Sequence, residues 1–179
     1  MKKLTIALSI LVSLATATAF GQKVNVDWDK SASFSDLKTY TWAKGTPAPN
    51  QLVDERITKA IDGQLAAKGL QKVESGNNPD LIVTYAAAVG SQTQLNTNNM
   101  GGYGPWRYGW GGAGGMSTTT VQQIPVGQLV VELGDVKNKN LLWRATASDT
   151  LSDKAEKNEK KINNAVAKMF KKYPPPTKK

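Results

Sequence analysis

The chain of 179 residues contains no cysteine and no histidine. Without cysteine there can be no disulfide, so stability must come from packing. The thiol that carries the lipid of bacterial lipoproteins is missing as well. The two absences together exclude Ser-His-Asp and Cys-His nucleophile systems and the usual zinc ligands. No phosphate loop is present either, since no glycine run has the spacing of a P-loop or of a dinucleotide fingerprint. Acidic residues are scarce: 14 Asp and Glu stand against 23 Lys and Arg, for a formal charge of +9. A basic balance suits anionic partners such as lipid headgroups, lipopolysaccharide or acidic polymers. Many of the lysines crowd the C-terminal end, however, where a charge run is normally a solvated helix face.

Long apolar runs are also lacking, except at the start, MKKLTIALSILVSLATATAFGQ. Lys2 and Lys3 precede an apolar stretch from Leu4 to Leu14, and small residues follow. This is the secretory signal pattern, with cleavage expected after Gly21 and Ala19 as the alternative. The stretch is too short and too rich in Ser and Thr for a good membrane span of about twenty residues. Cleavage would remove two of the 23 basic residues and none of the 14 acidic ones, leaving +7. The expected organisation is a signal peptide over 1–21, one domain over 22–176 and a basic tail over 177–179. The expected location is periplasmic or peripheral to the envelope, without a lipid anchor. Export makes nucleic acid a poor partner.

What is present reads as alternating strands and two helices. KVNVDWD alternates, with Val24, Val26 and Trp28 on one side and Asn25, Asp27 and Asp29 on the other. KTYTWA repeats the pattern with Tyr40 and Trp42 inward. Val53, Ile57, Ile61 and Leu65 recur every four residues, which predicts a helix over 51–68. Asn50 is its expected N-cap and Gly69 its stop. A short strand follows near Leu70 to Val73. The segment 80–91 predicts a strand with Leu81, Val83, Tyr85, Ala87 and Val89 on one face. MSTTTVQQI, PVGQLVVELGD and LLWRATASDTL read as further strands, the last two joined as a hairpin by GDVKNKN. A second helix is expected from about Asp153 to Lys172, with Asp153 and Glu156 as a capping box and Ile162, Ala165, Val166, Met169 and Phe170 as its stripe. The fold class that follows is α+β: two layers, a mostly antiparallel sheet with two amphipathic helices on one face.

One stretch fits no core. Residues 99–116 read NMGGYGPWRYGWGGAGGM, with Arg107 as the sole charge. A long excursion between two strands is expected over about 96–116. Tyr103, Trp106, Arg107, Tyr108 and Trp110 are the candidate binding residues, since flat rings and a cation can engage envelope glycan, anionic lipid or another envelope protein. A low-complexity loop without a ligand is the plain alternative.

The remaining candidates read as structural. Asp27 and Asp29 share a strand face, but no acidic loop punctuated by glycine accompanies them, as calcium would need. A carboxylate-dependent hydrolase would require two acids about 5–9 Å apart in a cleft. Asp135 suits a turn, and Ser152 with Lys154 suits a helix start better than a Ser-Lys dyad. Trp28, Trp42 and Trp143 belong to apolar strand faces. No catalytic residue, metal site or cofactor is assigned.

The order of VDWD, FSDLKTYTW, RITKAIDGQLAAKGL, NPDLIVTY, VGQLVVELGDVKNKNLLWRATASDTL and a closing helix ending in KKYP resembles the bacterial domain of unknown function 4136. The resemblance runs from Val24 to Pro174. It implies an envelope protein, often a lipoprotein, with no established activity and no catalytic residues to transfer. The missing lipid-bearing cysteine is this chain's departure. The sequence thus reads as a non-catalytic envelope module with a binding or structural role.

Overall fold

Alternation in KVNVDW produces the first strand, β1 (Lys23–Trp28), whose Val24, Val26 and Trp28 lie against the core while Lys23, Asn25 and Asp27 are exposed. The computed structural model describes residues 22–99 and 117–176. After β1 come β2 (Thr39–Trp42), helix α1 (Gln51–Ala67), β3 (Gln71–Lys72), β4 (Leu81–Asn99), β5 (Ser117–Asp135), β6 (Leu141–Thr150) and helix α2 (Ala155–Phe170). The six strands form one sheet in the order β1-β6-β5-β4-β2-β3. The β1, β6, β5 and β4 pairings are antiparallel, whereas β2 runs parallel to both β4 and β3. Helix α1 is the crossover that parallel neighbours β2 and β3 require, because a hairpin cannot join them.

Helix α1 begins where Asn50 accepts bonds from the amides of Leu52 (2.9 Å) and Val53 (3.3 Å), as a side-chain cap should. It ends at Gly69, whose φ of +84° takes the left-handed conformation open to glycine. Between these signals Ile57, Ile61 and Leu65 are buried against Leu81, Val83, Val131 and Leu133 of the sheet. Helix α2 adds Val166, Met169 and Phe170 to the same core. Each such side chain contributes about 1.5–3 kcal/mol through burial. The α+β class, the mostly antiparallel sheet and the shared helical face are as the alternation and the stripes predict.

Three local expectations change. Helix α2 starts at Ala155, and no capping box forms. Lys154, with extended backbone, occupies the cap position without a side-chain bond. Asn158, inside the helix, instead fixes the approaching chain: its side chain accepts from the amide of Ser152 at 2.8 Å and donates to its carbonyl at 2.6 Å. MSTTTVQQI and PVGQLVVELGD are one strand, because Pro125 does not interrupt the ladder to β4. Its carbonyl accepts from Leu151 N at 2.8 Å, so its missing N–H points away from β4. Finally, β4 runs on to Asn99 in unbroken register, from Leu81 opposite Asp135 to Asn99 opposite Ser117. Residues 96–99 therefore belong to the ladder and not to the excursion. Residues 1–21, expected to be a leader, residues 100–116 and the tail 177–179 lie outside the described residues. Among those described, no helix is long and apolar enough to cross a membrane.

The β5–β6 hairpin turns on Asp135, whose carboxylate accepts from Lys137 N (2.7 Å), Asn138 N (3.3 Å) and Asn138 Nδ2 (2.6 Å). A bulge follows: Leu133 pairs with Trp143 but Gly134 pairs with Leu141. The extra residue, Leu142, is how two adjacent side chains, Leu142 and Trp143, are both buried.

Candidate functional site

The floor of the core tapers. In one row across the sheet lie Val83, Leu133 and Trp143; in the next, Tyr85, Val131 and Ala145; then Ala87, Leu129 and Ala147; last Val89, Gly127 and Asp149. Side-chain volume falls toward the far end of β4 and β5, while the two helices still roof that end. The shortfall is a cleft of about 210 Å³. Its roof is Val53 and Ile57 of α1 with Ile162 and Ala165 of α2, and its floor is Ala87, Leu129 and Ala147. Ala48, Pro49 and Leu151 close the sides. The lining is overwhelmingly apolar.

One end of the cleft is polar. Lys161 Nζ donates to Asp149 Oδ1 at 3.1 Å, to the Thr150 carbonyl at 2.6 Å and to Thr150 Oγ1 at 3.1 Å. Its charge is thus matched by Asp149, and its donors are used. Gln22 Nε2 donates to the Lys161 carbonyl at 2.8 Å and to Asp149 Oδ2 at 3.4 Å. Both partners are acceptors, which fixes the amide's orientation. Gln22 Oε1 is left buried without a donor. The cleft is therefore an apolar slot with one unmet acceptor, and the Lys161–Asp149 pair at its polar end is internally neutral.

Three carboxylates elsewhere, Asp54, Asp62 and Asp80, are occupied by structural bonds. Asp62 of α1 accepts from Tyr40 Oη at 2.8 Å, Trp42 Nε1 at 2.9 Å and Lys72 Nζ at 3.1 Å. Asp54, two turns earlier, accepts from Ala48 N at 2.8 Å and from Tyr85 Oη. Burial, then these bonds, push the Tyr40 and Tyr85 hydroxyls well above the usual phenol range. Burial alone lifts Tyr173 to about 12. Asp80 accepts from Lys38 N (2.9 Å), Thr39 N (3.0 Å) and Thr39 Oγ1 (2.8 Å), and the Lys38 amide foremost holds its carboxyl below the ordinary value. Each of these shifts moves away from neutrality, the wrong direction for an acid or base working near pH 7.

The sequence candidates are separated, not gathered. Asp27 accepts from the amide of Trp28, its neighbour, at 2.9 Å. Asp29 has left the strand and closes a turn on Ser31 N (2.8 Å) and Ser31 Oγ (2.6 Å), whose hydroxyl lowers its pKa. The Ser152 hydroxyl accepts from the Lys154 amide at 3.3 Å, a turn contact. Trp143 is fully buried, and Trp28 and Trp42 are partly so. Tyr103, Trp106, Arg107, Tyr108 and Trp110 lie outside the described residues. Among those described, no group of His, Cys, Asp or Glu side chains is arranged to hold a metal. The cleft residues escaped the sequence reading. Their one signal is the drop from Val83 to Ala87 and from Trp143 to Ala147 along inward-facing positions.

Solved structures share the fold at low identity. A PDZ domain protein from Parabacteroides distasonis matches with a TM-score of 0.56 at 16% identity, over 88% of this chain and 37% of that one. The chain thus spans little more than a third of that protein. A DUF4136 family protein from Bacteroides thetaiotaomicron matches at 0.53 and 17%, over 86% of this chain and 96% of that one. A PelC dodecamer from Paraburkholderia phytofirmans matches at 0.51 and 16%, over 84% and 95%. No curated protein matches the sequence. The family model for a domain of unknown function (DUF4136) matches residues 24–175, nearly the whole described chain. By that match, the chain belongs to the DUF4136 family.

Proposed function

We propose that this protein is an exported, non-catalytic binding module of the cell envelope, and that the cleft between helices and sheet receives an apolar segment of its ligand. The observation that carries the reading is the cleft itself. Its volume of about 210 Å³ is below the roughly 300–1,000 Å³ of small-molecule sites. It suits part of a ligand, such as the end of an acyl chain or one or two apolar side chains. Gln22 Oε1 is an unmet acceptor beside a neutral ion pair, so an apolar segment with one hydrogen-bond donor matches the cleft best. The absence of histidine and cysteine, and the employment of Asp54, Asp62 and Asp80 in structural bonds, support a role without chemistry.

The binding half is tested with N-phenylnaphthylamine, an uncharged aromatic probe that carries one N–H. Ala147→Leu fills the floor and is expected to weaken binding at least about tenfold, roughly 1.4 kcal/mol, with thermal stability unchanged or raised. Equal fluorescence enhancement by both proteins would remove the cleft from the proposal. The export half rests on the lysine-led leader. Intact mass of protein from the native host should place the first residue near Gln22 with no added acyl mass. A retained Met1 or an acyl increment overturns it.

A further inference from the structure

Beyond the cleft, β4 and β5 continue past the helices as a two-stranded ribbon, and its composition is unlike the rest of the chain. From Leu81 to Val131 the sequence holds a single charged residue, Arg107, although the chain has 37. Residues 90–95 and 121–125 of the ribbon read GSQTQL and VQQIP. Val89, Leu95 and Val121 are 58%, 64% and 62% exposed, and Leu95 lies directly opposite Val121. Sheet edges are normally blunted by lysine, by proline or by a covering element. The β5 edge has such a block in Pro125. The β4 edge has no charge and no proline.

The hydrogen-bond pattern shows which groups that edge presents. Tyr85 accepts from Thr46 N at 2.9 Å, and Ala87 N donates to the Thr46 carbonyl at 3.0 Å, so residues 85 and 87 face away from β5. The register with β5 contains no shift through Asn99. Alternation therefore turns the amides and carbonyls of Val89, Ser91, Thr93 and Leu95 outward along the same edge. Pairing with β2 ends at Val83 and the bridge from Thr46 reaches only Ala86. The described strand pairings leave the edge open from Val89 onward.

We propose that this edge is a self-association strand, and that its occupant is the same edge of a second copy, joined antiparallel about a twofold axis. A row of outward amides and carbonyls is complemented by another strand. Two copies of a chain with more basic than acidic residues repel where lysine is exposed, whereas residues 89–95 and 117–125 of the ribbon carry no charge. Its Ser and Thr side chains can hydrogen-bond their own kind across strands. A twofold contact also places Leu95 of each copy near the other's ribbon, covering apolar surface that the monomer leaves wet.

Sedimentation velocity of the purified protein tests this across a concentration series. The wild type is expected to form a dimer. Thr93→Pro removes an outward amide while leaving the β5 side of the ladder intact, and it should weaken dimerisation at least about tenfold, with a melting temperature equal to wild type's at concentrations where both are monomeric. Leu95→Lys should weaken it comparably by placing like charges together. As an independent measure, amide exchange at Ser91, Thr93 and Leu95 should slow as protein concentration rises, while exchange in α1 does not change. A wild type that stays monomeric at several hundred micromolar overturns the proposal. So does a folded Thr93→Pro or Leu95→Lys variant that dimerises normally, or edge exchange independent of concentration.

Discussion

Ile61→Asp is expected to destabilise the protein by on the order of 3 kcal/mol or more, a large part of a typical domain's stability. Ile61 is fully shielded at the centre of the α1 stripe and packs in one cluster with Leu81, Val83 and Val131. A carboxylate there loses its water, and every side chain in that buried cluster is an apolar or aromatic one. It must either carry its charge unpaired or take up a proton. The comparison variant is Asp29→Asn, on an exposed turn where the amide oxygen can still accept from Ser31. It is expected to change little. Urea unfolding ranks the two, and the opposite ranking would mean that the helix presents another face to the sheet.

The second large effect comes from a glycine whose importance no periodicity announces. Gly45 crosses β4 so closely that a β-carbon built on it overlaps the carbonyl oxygen of Tyr85. That oxygen is backbone, part of a strand paired with β5, and it also accepts the Thr46 amide. Relief requires moving the link between β2 and α1, which breaks the Thr46 bonds to Tyr85 and Ala87 and tilts the Asn50 cap. Gly45→Ala is expected to cost about 2–4 kcal/mol, combining overpacking with lost hydrogen bonds. Gly63→Ala gives the same chemical change at a mid-helix position with open space around it. There it should stabilise by about 0.5–1 kcal/mol through helix propensity. Thermal melts that move in the same direction for both variants would contradict the close approach at Gly45.

Much of the frame was readable because it rests on local periodicity. The four-residue spacing of Ile57, Ile61 and Leu65, the Asn50 cap and the alternation about Trp143 each announce an element and its buried side. Other features depend on partners distant in sequence. Whether Pro125 ends a strand depends on Leu151, which lies where β6 runs out. The fates of Asp54 and Asp62 depend on Tyr85, Tyr40 and Trp42, brought over by the fold; in sequence the two acids are only polar residues flanking an apolar stripe. The capping-box pattern at Asp153 and Glu156 goes unused because the helix starts one residue later, after Lys154, with Asn158 tied to both backbone groups of Ser152. The cleft was hidden because it is a deficit of volume, and a deficit appears only when three strands are set side by side in register.

That register has a consequence for divergence. Ala87, Leu129 and Ala147 stand in one row, and β5 at its centre is paired on both sides. Their backbone is fixed by the ladder, so exchanging a side chain alters the depth of the slot while the scaffold stays where it is. Leu at 87 or 147 would make it shallow, and Ala at 129 would deepen it. In the proposed binding role, the depth of the slot is thereby separable from the pairing of the sheet: a single exchange at 87 or 147 retunes what is admitted, whereas one at the core residue 129 also carries a cost in stability.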